Sequence, residues 1–339
     1  MFTTPSRSGT IGRACRHKNH ANMELRTTLS GLLFHEPWWL TAASGGQYSE
    51  VTVERGGETI GRLPFVRRRK MGMRVLRMPQ FTHVLGPAVA TLKGKAETQL
   101  RQRIAITREL LGQLLQADFF MHSCSSSLAD TLAFQECGFD VKPQCNFQID
   151  CRQTLASILD RMNFKTRGHI RRAEKDYEVV SVGTPEAFKS FYLANMQAAG
   201  RRDTMDFDTF PAVFAESRAR DCGEILAVCT HSGKPAAMVH LVWGAGAMYH
   251  LLATRQPGAA STNAANLLVW SAIKRAHERG LIFDFDGVVN SGQMRFFLGF
   301  GGEISWRLIV TRSRPIYGLA RAVRMKLVRN GSSDTSHFT

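Results

Sequence analysis

The chain has 339 residues, enough for two domains, and its hydrophobic fraction of 44% is ordinary for globular cores. It contains no run of about 18 apolar residues, so we expect no membrane-spanning helix. The formal net charge of +16 at pH 7 predicts an anionic partner, such as nucleotide phosphates, RNA or anionic lipid. The alternative interpretation is a set of solvated basic faces.

The seven cysteines stand at irregular spacing without a Cys-x-x-Cys pair, which is typical of reduced thiols in a cytoplasmic protein. Zinc sites need paired cysteine or histidine ligands at short spacing, so we predict no metal. Residues 1–23 are basic and polar without the apolar stretch of a secretory signal. We predict a disordered leader there, or a translation start at Met23.

The first half shows alternating strands around a Gly56-Gly57 turn, which predicts a hairpin, and then a long segment with helical periodicity. The predicted order is helix 37–43, strands 49–55, 59–68 and 74–79, turn 80–87, helix 97–116, strand 118–123, helix 128–137 and strand 146–151.

The second half repeats this order after a basic helical segment at 154–173. We predict helix 207–217, strands 224–230, 235–243 and 247–254, turn 255–261, helix 263–279, strand 281–287, helix 292–300 and strand 304–310. The repeat predicts two related α+β domains, at 24–150 and 151–313. Residues 314–339 are predicted to form a basic C-terminal helix and a frayed tail.

The turn before the long second-half helix is the sharpest local signal. A strand that ends in small residues and opens a helix leaves backbone N–H groups available to a phosphate. Arg255 begins the turn, Gly258, Ala259 and Ala260 allow close approach, and Ser261 adds a hydroxyl. The alternative interpretation is an ordinary capped turn.

Two carboxylates follow in the next strand. Asp284 and Asp286 alternate with phenylalanines and are predicted to share one strand face beside a polar cleft. Asp286 is a candidate to accept the proton of an amine or to hold its ammonium. Tyr249 and His250 are candidates to reach an acyl carbonyl. Alternatively, the carboxylates bond to Arg295 or to helix-end amides.

Lys165, Arg167 and Arg171 lie on a predicted helix, where the two arginines share a face at i, i+4 spacing. They are candidates to hold an acidic acceptor or donor phosphates. A solvated basic face is the alternative interpretation.

Arg255, Gly258 and Ala260 fit the pattern Arg/Gln-x-x-Gly-x-Gly/Ala, which resembles the pyrophosphate-binding signature of GNAT acyltransferases. From residue 34 to 310 the chain resembles the FemAB-like acyltransferases, which carry two tandem GNAT-like domains. The segments that carry this resemblance are HEPWWL, GRLPFVRRRKMG, RMPQFTHVLGP, KTRGHIRRAEKDYEV and LIFDFDG…FFLGFGGEI. It implies an α+β fold of two tandem GNAT-like domains, each a mixed, mostly antiparallel sheet flanked by helices. By the same resemblance, Arg201 is expected to line the cleft.

The resemblance implies an N-acyltransferase with acyl-CoA as co-substrate and an amine of a sugar, amino acid or cell-envelope precursor as acceptor. The first-half turn at 80–87 lacks the donor signature, so we expect the first half to form the acceptor groove or to support the second half. An aminoacyl-tRNA donor is an alternative favoured by the charge, although no coiled-coil arm is present. A non-catalytic module that binds RNA or an envelope partner is the third hypothesis.

Overall fold

The computed structural model describes residues 29–318, apart from 71, 92, 126, 127, 129, 202–204, 245, 259, 289 and 316. The leader predicted at 1–23 and most of the C-terminal segment predicted at 314–339 lie outside the described residues. Helices cover a large mixed sheet, so the predicted α+β class is confirmed.

The described helices are α1 Pro37–Ser44, α2 Ala96–Gly112, α3 Thr131–Glu136, α4 Leu155–Arg161, α5 Phe164–Asp176, α6 Pro185–Ala198, α7 Phe210–Ala219, α8 Ala260–Glu278 and α9 Ser291–Leu298. The described strands are β1 Tyr48–Arg55, β2 Glu58–Lys70, β3 Met73–Arg77, β4 Ala88–Val89, β5 Phe119–Ser125, β6 Asp140–Asp150, β7 Tyr177–Val182, β8 Gly223–Thr230, β9 Pro235–Trp243, β10 Ala247–Arg255, β11 Ile282–Gly287 and β12 Glu303–Ser313. None of these helices is long and apolar enough to cross a bilayer.

The two halves share one pairing pattern. In the first half, β1, β2 and β3 are antiparallel neighbours and β3 pairs with β5 in parallel. In the second half, β8, β9 and β10 are antiparallel neighbours and β10 pairs with β11 in parallel. A parallel pair needs a long crossover, which α2 and α8 supply. The predicted tandem repeat is confirmed.

The last strand of each half is exchanged with the other half. The sheet order is β1-β2-β3-β5-β12-β6-β11-β10-β9-β8-β7, with β4 beside β2. β12 therefore lies between β5 and β6, and β6 lies beside β11. The predicted domain boundary at residue 150 falls at the end of β6, between two strands of the second half, and stays a prediction.

Two local features were not predicted. The segment predicted at 154–173 is helical but divides into two helices, because Asn163 caps the second one by accepting a hydrogen bond from Thr166 N at 2.7 Å. Strand β7 was not predicted because it is an edge strand without a buried side-chain face, so its sequence lacks the alternation that identifies a half-buried strand.

Each exchanged strand follows a glycine in the left-handed region, Gly138 before β6 and Gly301 before β12. A Cβ on Gly138 (φ +74°) meets open space, whereas a Cβ on Gly301 (φ +75°) lies 2.5 Å from Arg161 O. The two positions therefore have the same conformation and different surroundings.

We predict that Gly138→Ala lowers the free energy of unfolding by about 1 kcal/mol, the cost of the left-handed conformation alone. Gly301→Ala should lower it by about 3 kcal/mol or more, because the backbone contact at Arg161 adds to that cost. Urea denaturation of both variants measures the difference. Equal losses would contradict the close packing at Gly301.

Candidate active site

The sheet opens between β10 and β11. Their parallel pairing covers only residues 247–249 and 282–284, although both strands continue. The pairing of β10 with β9 also shifts between His250 and Leu252, so that Leu251 is an extra, bulged residue. Beyond this point the edge of β10 that faces β11 has no strand partner in the described structure.

A cleft of about 950 Å³ occupies this opening. Its wall includes β10 from His250 onward, the turn that leads into α8, and the first turns of α8 and α9. The lining residues from α6 and the segment after it include Tyr192, Asn195 and Arg201. Asn195 fastens α6 to this wall, since its Nδ2 donates to Thr254 Oγ1 at 3.0 Å.

The predicted donor turn lies at the rim of the cleft. Gly258 adopts φ +109°, a conformation that side chains rarely take. Arg255 Nη1 donates to the carbonyl oxygens of Gln256 at 3.3 Å and Gly258 at 3.1 Å, so the guanidinium braces the turn. The backbone of Ala260 and Ser261 begins α8, and Ala259 lies outside the described residues.

Asp284 is the centre of a buried polar network. Its carboxylate is 4% exposed and accepts hydrogen bonds from Arg307 Nη2 at 2.6 Å, Gln148 Nε2 at 2.8 Å and Asn146 Nδ2 at 3.0 Å. It also accepts from the backbone N–H of Asp286 at 2.9 Å. A carboxylate with this many donors is held in one position.

Asp286 faces the cleft with a side chain that is 40% exposed. Its φ of +78° is unusual for a residue other than glycine, and Arg307 Nη1 contacts its carboxylate. Burial raises the pKa of this carboxyl, but His83, Arg307 and the Gly287 N–H together hold it below its ordinary value. Asp286 is therefore an ionised, strained carboxylate at the cleft.

His83 reaches this site from the first half, where it belongs to the turn predicted at 80–87. Its Nε2 lies 3.0 Å from Leu251 O and 3.4 Å from Asp286 Oδ2. Burial lowers the pKa of His83, which Asp286 opposes only in part, so the ring is neutral at pH 7. A neutral ring with its proton on Nε2 donates to the bulged Leu251 carbonyl and fixes the open edge of β10.

Tyr249 and His250 point to opposite faces of the sheet, as neighbours in a strand do. His250 lines the large cleft, while Tyr249 lines a second cavity of about 320 Å³. Burial lowers the pKa of His250 to about 4, so it too is neutral at pH 7. The structure therefore does not bring these two side chains to one carbonyl.

The basic residues predicted on α5 lie elsewhere. None of the described side chains of Lys165, Arg167 and Arg171 lines either cavity. Lys165 and Arg171 are exposed, and Arg167 Nη1 donates to Leu159 O at 3.1 Å. Arg201 is the predicted basic residue that lines the cleft.

Four residues of the site were missed, namely His83, Asn146, Gln148 and Arg307. The expected partner of the two carboxylates was Arg295, yet Arg307 on β12 binds both. The sequence did contain one indication of Arg307, which is the single charged residue in the apolar stretch 304–310. Among the described residues, no group of three or more His, Cys, Asp or Glu is arranged to hold a metal ion.

A family model described as an acetyltransferase (GNAT) domain matches residues 164–296, which span the donor turn and both carboxylates. Among solved structures, FemX is similar with a TM-score of 0.64 at 14% identity, over 89% of this chain and 97% of that one. No curated protein matches the chain. The predicted GNAT resemblance is confirmed for this domain.

Two further structures share the fold. L-PGS from Bacillus licheniformis has a TM-score of 0.57 at 12% identity, over 93% of this chain and 96% of that one. A tandem GNAT protein from the clavulanic acid biosynthesis pathway has a TM-score of 0.53 at 11% identity, over 87% and 95%. The fold extends over nearly the full length of each.

We predict that Asp284→Asn lowers the free energy of unfolding by about 3 kcal/mol or more, because it leaves Arg307 buried with one fewer anion. Asp286→Asn should cost about 1 kcal/mol or less, because this side chain is partly solvated and asparagine tolerates positive φ. Urea denaturation compares the two variants. A larger loss for Asp286→Asn would contradict the central place of Asp284.

Proposed function

Because the chain carries a GNAT domain within a FemAB-like tandem fold, we propose that it is an N-acyltransferase that moves an acyl group from acyl-CoA to an amine. The observation that carries the proposal is the opening between β10 and β11, with the Arg255–Gly258 turn and the N-terminus of α8 at its rim. The pyrophosphate of the donor binds at that turn, where backbone N–H groups and the helix dipole favour phosphate.

The open edge of β10 polarises the thioester. Extended backbone without a strand partner presents N–H groups to an acyl carbonyl oxygen in the cleft. Such preorganised donors stabilise the negative charge that develops on that oxygen during attack. His83 holds the same edge by its bond to Leu251 O, so the donors keep their positions during the reaction.

Asp286 holds the ammonium of the acceptor and takes its proton. The neutral amine then attacks the carbonyl carbon, a C–N bond forms, the C–S bond breaks and the electron pair leaves on sulfur. Attack gives the nitrogen a positive charge again, so it loses a second proton. One of the two protons ends on the thiolate, so coenzyme A leaves as the thiol, and the other passes from Asp286 to solvent. No covalent enzyme intermediate is involved. A carboxylate already ionised at neutral pH suits the holding of the ammonium. As a base, Asp286 relies on its position beside the amine, since its pKa lies below the ordinary value.

An aminoacyl-tRNA donor is the second candidate. The net charge of +16 favours it. The exposed basic residues at the tip of the β2–β3 hairpin, Arg67 to Lys70, offer a surface for a phosphate backbone. A steep fall of tRNA affinity with added salt would support this donor.

We further propose a cytoplasmic location, which agrees with the six free cysteines of the described residues.

We predict that the wild-type chain binds coenzyme A and that Gly258→Glu weakens this affinity by about tenfold or more, because a carboxylate replaces open space at the phosphate position. Isothermal titration with coenzyme A measures both. Gly233→Glu is the matched control, since Gly233 also has positive φ and open space but lies in the β8–β9 turn. Absence of coenzyme A binding in the wild type would contradict the proposal of an acyl-CoA donor.

We also predict that Asp286→Asn slows acetyl transfer by about a hundredfold or more, the usual contribution of a positioned general base. The affinity for coenzyme A should stay within about twofold, because Asp286 contacts the acceptor and not the phosphates. Thiol release from acetyl-CoA, measured with a panel of primary amines, gives the rate. Unchanged release with an active amine would exclude Asp286 as the base.

A further inference from the structure

The second cavity, of about 320 Å³, lies behind the donor cleft on the other face of the sheet. Both halves and the exchanged strands build it. Its wall includes residues of β5, β6, β10, β11 and β12, among them Gln148, Tyr249, Asp284, Ser305, Trp306 and Arg307.

Tyr249 contributes a polar group to the wall of this cavity. The residue is 6% exposed and lines the cavity. Burial raises the pKa of this phenol, so the hydroxyl keeps its proton. A hydroxyl in this wall can exchange a hydrogen bond with a ligand hydroxyl or amide. Gln148 and Ser305 add further uncharged polar groups to the wall.

The charge of the wall selects among ligands. Arg307 is the only cation among the residues that line the cavity, and its guanidinium already binds both Asp284 and Asp286. Within this wall the Asp284 carboxylate and the Arg307 guanidinium offset each other. A phosphate or a carboxylate therefore finds no free cation among these residues, and an ammonium finds its anion at Asp286, on the other side of the Arg307 contact.

Trp306 stands at the rim with its indole 48% exposed. An exposed indole offers a broad, flat apolar face, which suits the C–H face of a sugar ring. The cavity is too small and too polar for a long acyl chain. Its volume and its uncharged polar groups fit one sugar ring with hydroxyl groups.

We infer that this cavity holds the acceptor, and that the acceptor is an amino sugar unit without an acidic group. This inference rests on the proposed acyltransferase function and names its substrate class. The two cavities share the Arg307–Asp286 contact, since Arg307 lines one and Asp286 the other. The β10–β11 ladder stops at Tyr249 and Asp284, so no hydrogen bonds between these two strands close the sheet beyond that point. The amine thus passes beside Asp286 to the thioester.

Titration calorimetry with D-glucosamine as the probe tests the inference. We expect saturable binding to the wild type, weakened about tenfold by Trp306→Ala and several-fold by the near-isosteric Tyr249→Phe. D-glucosamine 6-phosphate should bind about tenfold more weakly than D-glucosamine, because the cavity has no free cation for its phosphate. Ile304→Ala is the matched control, since Ile304 is 58% exposed on the same strand and does not line the cavity.

The Gly258→Glu variant distinguishes a failure of the acceptor assignment from a failure of the donor assignment. D-glucosamine binding should persist in that variant even though coenzyme A binding is lost. Failure of coenzyme A to bind the wild type, with D-glucosamine binding intact, would overturn the acyl-CoA donor alone. Absence of saturable D-glucosamine binding, equal affinity for the 6-phosphate, or full affinity in Trp306→Ala would overturn the acceptor assignment. Circular dichroism of each variant confirms that it is folded.

Discussion

The guanidinium of Arg307 binds two carboxylates on a neighbouring part of the sheet, and the geometry of the site depends on this contact. Arg307 lies on β12, Asn146 and Gln148 on β6, and Asp284 and Asp286 on β11. These strands are adjacent only because the last strand of each half is exchanged. A buried ion pair gains little net stability over apolar packing, but loss of one partner is costly. The network therefore specifies how the strands assemble more than it adds to stability.

The two halves use equivalent turns for different purposes. In the second half, the turn after β10 keeps its glycine and the helix start that suit a phosphate-bearing donor. In the first half, the turn after β3 folds onto the second half, where Phe81 packs against Phe207 and Phe210. His83 from this turn then reaches Leu251 and Asp286. The first half thus completes the opening that the second half provides.

Burial determines the protonation of the groups around the opening. His83 and His250 are neutral at pH 7 because burial disfavours the charged form of each ring and so lowers its pKa. Asp286 remains charged because Arg307 and the Gly287 N–H stabilise its anion against the effect of burial. Asp284 and Arg307 offset each other in the wall of the smaller cavity, and Asp286 is the single carboxylate among the described residues that line the larger one. An amine is thereby favoured beside Asp286, where we propose that acceptor and donor meet.

The sequence by itself determined the local elements, the repeat and the donor turn, because periodicity, glycine positions and helix starts depend on residues close together in the chain. It also identified Asp286, His250, Arg255, Gly258 and Arg201, all of which line the large cleft. Tertiary structure alone decided that β12 and β6 exchange places, since no local pattern records which strands pair. In the folded chain, Asp286 contacts His83, which is 203 residues away in sequence, and Arg307, which is 21 residues away. Tertiary structure also set the side of the sheet on which Tyr249 faces a separate cavity.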